Sequence, residues 1–593
     1  MKAFLKQLLA STIAVIIGGV IVLLIVIGII SASLSSFSED KKADIKDNSV
    51  LHIRLTGQIQ ERVVEDPFAS LMGETPSPLG LQQMRRAIQK AKDDERIKGI
   101  YLDVGPVTGG FASFESLRRE LEAFKKSDKF VYAYGDFYSE KALWLASVAD
   151  GVYLNPGGLL EWNGMASVQP MLRGFLDKWG LKPMVFKVGK YKSAAENITN
   201  RELSEFNRKQ IKAYLNDLWK TMNADIARSR NIQPDSLMMY AERGDIVLPE
   251  DAMNAKLVDK LMYRAEMRDK LRTKLKIDKD EDILAVGIMD YAEQIEGSLE
   301  DNKIAVIYAV GGIQYGEGDL QSIGDRTTIE EIRKAREDDD IKAVVLRVNS
   351  GGGSALASDN IYNELKLTAK KKPVIASMGD VAASGGYYIA AGCDKIFAEE
   401  TTITGSIGVI GLLFNVQEFL NKELAVQTDV VYSYETKYAD IANPTRQMTE
   451  KEKEKIQRGV EEVYQDFLSV VNESREAYKT NAQVDEVAQG RVWTGMAAKK
   501  KQLIDEFGGL DEAIAEAAKK AGVGEEYRLV EYPEIKPPFE RLFSDNNEKK
   551  PNRLELLQKI LLPEQAQVFE MLDGFDDPRK VYMRSWADPV AID

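Results

Sequence analysis

The chain has 593 residues, 44% of them hydrophobic and 29% charged; that is about four times the ~150 residues of a typical domain, which excludes both a small binding module and a disordered polymer. Lys and Arg number 79 against 93 Asp and Glu, a net charge of −14, the wrong sign to grip a phosphate backbone, so no nucleic acid partner is expected. With one cysteine (Cys393) and one histidine (His52), an intrachain disulfide and a zinc site of the usual Cys/His kind are excluded as well, and no metal or cofactor is expected.

In chain order, Leu8 to Ile30 carries no charge and is rich in Ile, Val, Leu, Ala and Gly, long enough to cross a ~30 Å hydrocarbon layer as a helix and contact lipid. Lys2 and Lys6 precede it while Glu39 and Asp40 follow, so the positive-inside rule puts the N-terminus in the cytoplasm and the body across the membrane. A cleaved secretory signal ending at Ser31-Ala32-Ser33 is the competing reading, but the apolar run exceeds the ~7–15 residues of an ordinary signal core. In Val50-Leu51-His52-Ile53-Arg54-Leu55 the alternation sets His52 and Arg54 on the polar face of a half-buried strand.

The chain is then written twice. Residues 87–104 lie over residues 331–348, an offset of 244 that persists through Gly135-Asp136 over Gly379-Asp380 and Asp150 over Asp394. Ile53–Gly57 matches Ile307–Gly311 after a small insertion. Each copy reads as helix (82–93; 328–338), buried strand (99–104; 343–348), Gly-containing loop and helix, second strand (130–134; 374–377), helix and short strand (152–154; 395–398). Strands alternating with helical periods predict βαβ units and mainly parallel sheets. Amphipathic helices follow at 449–477 and 510–521, and a Pro-rich, charged tail starts near Tyr532. The expected fold is α/β with two tandem homologous domains: anchor 1–45, first repeat 46–298, second repeat 299–531 and extension 532–593.

Loops at the C-terminal ends of strands are where open α/β sheets place ligands. In the second repeat these read Asn349-Ser350-Gly351-Gly352-Gly353-Ser354 and Gly379-Asp380-Val381-Ala382-Ala383-Ser384-Gly385-Gly386-Tyr387-Tyr388. Glycines let backbone N–H groups approach a ligand, and Ser384, between small residues, suits a nucleophile beside an oxyanion hole. An N-cap is the plainer reading of a serine at a helix start. No Walker lysine follows Gly351–Gly353, so a phosphate loop is excluded. Glu140 stands opposite Ser384 in the repeat, so the first copy cannot hold the same nucleophile. Lys187, Lys190 and Lys192, in partly apolar sequence, are equally eligible as a base on residue type alone.

The motifs Ala382-Ala383-Ser384-Gly385-Gly386-Tyr387-Tyr388, Thr404-Gly405-Ser406-Ile407-Gly408 and Gly189-Lys190-Tyr191-Lys192-Ser193-Ala194 resemble the signal peptide peptidase A (protease IV) family in its long, duplicated, membrane-anchored form, across nearly the entire chain. The resemblance implies a fold similar to the crotonase and Clp protease group, Ser384 as nucleophile and Lys192 as general base. It also implies remnant signal peptides and other apolar peptides as substrates on the periplasmic side, and a homotetramer. One departure is that the family's Ser-Pro-Gly-Gly loop reads Ser350-Gly351-Gly352-Gly353 here, and losing proline loosens it. On this reading N–H groups near Gly352, Gly353 and Gly385 hold the oxyanion, Ser193 orients the Lys192 amine, Ser406 is structural and Cys393 is a small buried residue. The alternatives are a catalytically silent peptide-binding scaffold and a crotonase-like acyl-thioester enzyme.

Overall fold

The computed structural model describes residues 45–63, 79–295, 298–436, 438–535 and 581–584. The expected anchor, Leu8 to Ile30, lies outside them; among the described residues no helix is long and apolar enough to cross a membrane.

Each repeat builds its own parallel sheet. In the first, the strands run in the order Leu79–Gly80, Ser49–Gln60, Ile97–Thr108, Phe130–Tyr138, Gly151–Leu160 and Lys260–Leu261. The second has Ile403–Gly405, Val374–Ala383, Ile341–Ser350, Lys303–Val310 and Arg528–Tyr532 in the same relation, with Lys395–Ala398 also against Val374–Ala383. The 244-residue offset holds at element level: Leu81–Asp93 recurs as Asp325–Glu337, and Phe111–Lys125 as Ala355–Ala369. Ile53 pairs with Leu102 and Ile307 with Leu346, so the match expected after a small insertion is the structural one.

Period-2 alternation decides which core each side chain enters. In Ile341–Ser350, Val344, Leu346 and Val348 pack into the large core cluster on one face, while Ala343 and Val345 join a second cluster under Leu510–Ala521 on the other. Both faces being covered explains the unbroken apolar run. In the first repeat Leu51, Ile53 and Leu55 are buried and Arg54 is exposed. Half-buried His52 stacks on Tyr101 at 5.3 Å, as expected of the polar face.

Strands run longer than the periodicity suggested, for example Ile97–Thr108 and Val374–Ala383, because bulged pairing carries them through their loops. Register shifts fall between Leu55 and Gly57 and between Val348 and Ser350.

A third sheet crosses between the repeats. Its order is Ser322–Gly324, Gly312–Gln314, Gly352–Ser354, Val581–Arg584, Val409–Asn415 and Lys182–Val188. The last strand belongs to the first repeat and pairs antiparallel with Val409–Asn415 of the second, Val188 opposite Val409. The expected domain boundary is therefore crossed by a strand, and the C-terminal extension contributes one as well. Buried charge fastens the same seam: Arg347 donates to Glu61 at 2.7 Å and to Ser377 Oγ at 2.9 Å. Asp380 accepts from the N–H and hydroxyl of Ser113 at 2.8 and 2.6 Å. A side chain on Gly110 would run into the Asp380 carboxyl, and burial pushes that carboxyl's pKa up.

Candidate active site

The strand Val374–Ala383 is buried along its whole length and ends at Ser384, where the backbone turns sharply (φ 56°, ψ −116°) into the helix Gly385–Ala390. A non-glycine residue held there costs on the order of 1–3 kcal/mol. The surroundings over-determine it: the Ser384 N–H donates to Gly405 O at 2.8 Å, its carbonyl accepts from Tyr388 N–H at 2.9 Å, and Val381–Ala383 pair with Ile403–Gly405. Ser384 is fully buried, and its side chain does not cap the helix that follows. Side chains on Gly385 or Gly386 would approach Ser358 Oγ at 2.7 Å or Ser350 O at 2.6 Å, which is why small residues flank the serine.

Lys192 arrives from the other repeat. After Val188 the chain turns at Gly189 (φ 106°), packed so closely on Gln489 that a Cβ would stand 2.5 Å from its carbonyl carbon. The Tyr191 N–H donates to Gln489 O at 2.9 Å. The lysine stem then passes two glycines: a Cβ on Gly490 would lie 2.6 Å from Lys192 Cβ, and one on Gly408 would lie 3.3 Å from Cδ. Lys192 is 1% exposed. Its Nζ stands 2.7 Å from Ser384 Oγ, 3.0 Å from Ser406 O and 3.1 Å from Ser406 Oγ. Burial drives its pKa well below the usual lysine value. Of the three lysines eligible on residue type, Lys187 donates instead to Lys192 O at 3.1 Å, and Lys190 lies over the rings of Tyr191 and Phe206.

Gly352 (φ 98°) stands beside Gly385; a Cβ on it would lie 2.6 Å from the Gly385 nitrogen. The Gly352 N–H donates to Ser350 Oγ at 3.1 Å, and Gly353 pairs with Ile313 and Met583. Strand pairing on both edges thus holds the loop that lacks the family's proline. Cys393 is buried, with its thiol pKa pushed up by desolvation.

Ser193 does not reach the amine. Its Oγ accepts from Gln210 Nε2 at 2.9 Å, the same amide that donates to Tyr191 O at 3.0 Å, because successive residues of the turn point different ways. The residue that holds the amine is Ser406, expected to be structural. It leaves the strand Ile403–Gly405 beside the serine and precedes Val409, which pairs beside the lysine strand, so one short segment spans both. Gln210 was also missed; its Oε1 accepts from Val492 N–H across the seam at 3.3 Å. The signal for Ser406 was present in Thr404-Gly405-Ser406-Ile407-Gly408, where glycines on both sides of a serine mark a close approach.

A buried serine, its hydroxyl not spent on the helix that follows it, on a two-repeat α/β scaffold fits the class of serine hydrolases. The chain belongs to peptidase family S49, whose pattern matches it twice, over residues 123–278 and 366–524. It is 31% identical over 590 residues to Protease 4 of Haemophilus influenzae, covering 93% of each chain. It is 36% identical over 447 residues to Protease 4 of Salmonella typhi, covering 73% of this chain and 71% of that one. Against the chloroplastic serine protease SPPA of Arabidopsis thaliana it is 32% identical over 492 residues, 81% of this chain and 70% of the relative. The chain is a serine protease of the duplicated protease IV type.

Proposed function

We propose that the protein is a membrane-anchored endopeptidase working through a Ser384–Lys192 dyad on apolar, extended peptides, remnant signal peptides among them. The observation that carries the reading is the 2.7 Å approach of Lys192 Nζ to Ser384 Oγ, both buried and supplied by different repeats. Three groups surround the amine, and a neutral amine offers two N–H donors and one lone pair. Ser406 O only accepts, and Ser406 Oγ takes the second N–H; the lone pair is left for the Ser384 hydroxyl proton. Desolvation disfavours the charged amine and so favours the uncharged form that can act as a base.

In this scheme Ser384 Oγ attacks the substrate carbonyl while Lys192 takes its proton. Backbone N–H groups at Gly353 and Gly385 hold the oxyanion while Gly352, whose own N–H donates to Ser350 Oγ, shapes the loop; Lys192 protonates the leaving amine, and water hydrolyses the ester. The anchor is Leu8 to Ile30, with the N-terminus cytoplasmic and the body periplasmic; the assembly is a homotetramer. The charge asymmetry around Leu8 to Ile30 supports the orientation, and the protease IV relatives support the substrate class.

The test uses the full chain in detergent, wild type beside Ser384→Ala and Lys192→Ala, with an apolar peptide and an acyl-CoA. Peptide cleavage lost in both variants supports the dyad. Binding without turnover in the wild type points to a scaffold, and thioester turnover points to crotonase-like chemistry.

A further inference from the structure

The Lys192 amine meets Ser384 only while two turns from different repeats keep one register, and a single side chain spans both. Gln210 lies in the second turn of the helix Glu205–Arg230 and is 1% exposed. Its Nε2 donates to Tyr191 O at 3.0 Å and to Ser193 Oγ at 2.9 Å, the residues on either side of Lys192. The third acceptor beside it, Asn207 Oδ1 at 3.0 Å, lies one turn back on the same helix. At the other end of the amide, Oε1 accepts from the Val492 N–H at 3.3 Å. A backbone carbonyl only accepts and a backbone N–H only donates, so Tyr191 O and Val492 N–H fix which way the amide faces.

Val492 is where that bridge meets the serine. It stands opposite Gly405 in the pairing of Val492–Thr494 with Ile403–Gly405, and Gly405 O accepts from the Ser384 N–H at 2.8 Å. The residues before it hold the same register. Gln489 O accepts from Tyr191 N–H at 2.9 Å, Gly490 N–H donates to Ile407 O at 2.7 Å, and Arg491 O accepts from Ser406 N–H at 2.7 Å. Residues 489–492 therefore touch the lysine turn first and the Ser406 turn next, and Gln210 ties their far end back to the lysine turn. The helix that carries Gln210 is itself firmly seated. Ser204 caps it by accepting from Asn207 N–H at 3.2 Å, Asp217 accepts from Thr494 Oγ1 across the seam at 3.0 Å, and Ile211, Tyr214 and Leu218 pack with Ile403.

We propose that Gln210 is a positioning residue for peptide hydrolysis: its amide sets the register between the turn that carries Lys192 and the strand beneath Ser384, and so keeps the amine on Ser384 Oγ and Ser406. The proposal rests on the Ser384–Lys192 reading. Gln210 acts through the backbone on either side of the lysine rather than on the amine itself. Removing it leaves Tyr191 O and Val492 N–H without this partner in a buried place, and a misplacement of about 1 Å at the reacting atoms is enough to cost about 100-fold. The charged side chains around the turn are engaged elsewhere. Lys187 donates to Lys192 O, Lys190 and Arg491 lie over the Tyr191 ring, and Glu196 accepts from Ser204 and Asn207. The state of the amine is thus set by how dry its recess stays, which is what the register controls.

Steady-state kinetics on an apolar peptide across pH test this, with the full chain in detergent and a denaturant melt of each variant. Gln210→Met keeps the length of the side chain and removes donor and acceptor; Gln210→Asn keeps the amide but is one methylene too short to reach both turns. Each should lower kcat at neutral pH by about 10- to 100-fold with KM within about twofold of wild type. The acid limb of each should move to higher pH, because an amine no longer held in its dry recess keeps its proton longer, and the deficit should narrow on the alkaline side. Thr494→Val, which cuts the Asp217 bond on the same seam, should lower the unfolding midpoint without moving that limb. Unchanged kinetics, a loss of kcat equal at every pH, a limb that Thr494→Val moves as far, or failure of both Gln210 variants to fold makes Gln210 merely structural and overturns the proposal while the dyad stands. Lys192→Ala run alongside separates the two readings: if it still cleaves peptide, the dyad itself is overturned.

Discussion

The two repeats part company at one turn. In the first, the strand Phe130–Tyr138 ends at Ser139, an ordinary N-cap (φ −75°) whose Oγ accepts from the Ala142 N–H at 3.3 Å, and the helix Glu140–Ala146 follows. In the second, the serine at the cap position is Ser384; its backbone is left-handed and its hydroxyl makes no cap, standing instead at Lys192. The neighbouring residues diverge in step. Gly353 and Gly385 correspond to Gly109 and Lys141, and the Lys141 amine donates to Gly109 O at 2.9 Å, which fills the space that glycines leave open in the other copy. One scaffold thus supports a hydroxyl spent on its own helix or one left off the helix and turned to Lys192, and the choice lies in a few backbone angles and glycines.

The largest expected effects break the active copy. Ser384→Ala or Lys192→Ala should lower kcat/KM on an apolar peptide by at least about 10^3-fold in steady-state assays. In the wild type, activity should rise with pH through the folded-state pKa of Lys192, which burial places well below 10.5. The unfolded amine keeps its proton to about 10.4. Between those two values the unfolded state binds the extra proton, so stability rises with pH and is lowest below the folded pKa. Lys192→Met should accordingly raise the melting temperature most below the folded-state pKa, with the gain closing toward pH 10.4. A thermal series across pH checks it, and a uniform shift would contradict the buried neutral amine.

Next is the seam that brings the copies together. Glu61→Ala leaves Arg347 charged and unpaired in a buried position, which costs about 3–5 kcal/mol and should appear as a lower midpoint in denaturant unfolding. Smaller again is Ser406→Ala. It removes one of the amine's three contacts and should lower kcat about tenfold, the effect of ~1.4 kcal/mol, with KM little changed. Its acid limb should also move to lower pH, because the protonated amine loses an acceptor.

What the sequence made legible follows from these contacts. The repeat, the parallel sheets and the alternation at Leu51–Leu55 rest on local periodicity and were readable. Ser384 and its glycines stood out because small residues in a row have few other uses. Lys192 could be separated from Lys187 and Lys190 only by family resemblance, since its burial depends on a strand docking into the other repeat's sheet. For the same reason Ser406 was undervalued and Ser193 overvalued: adjacency along the chain stood in for adjacency in space. The strand Val581–Arg584 is too short to show a period of its own, and it finds its place only between two edges formed elsewhere.

The smallest expected effects sharpen the comparison of the two turns most. If the first hydroxyl serves its helix and the second serves chemistry, removing each should move a different observable. Ser139→Ala deletes an N-cap and should cost about 1 kcal/mol of stability, with peptide hydrolysis within about twofold of wild type. Ser384→Gly deletes a nucleophile but gives a left-handed position to the residue that adopts it without strain. It should abolish hydrolysis while raising stability by about 1 kcal/mol. Paired denaturant melts and peptide assays on the two variants decide the matter. A Ser384→Gly chain less stable than wild type would mean that the turn is held by the serine side chain itself, and the contrast drawn between the two copies would then fail at its centre.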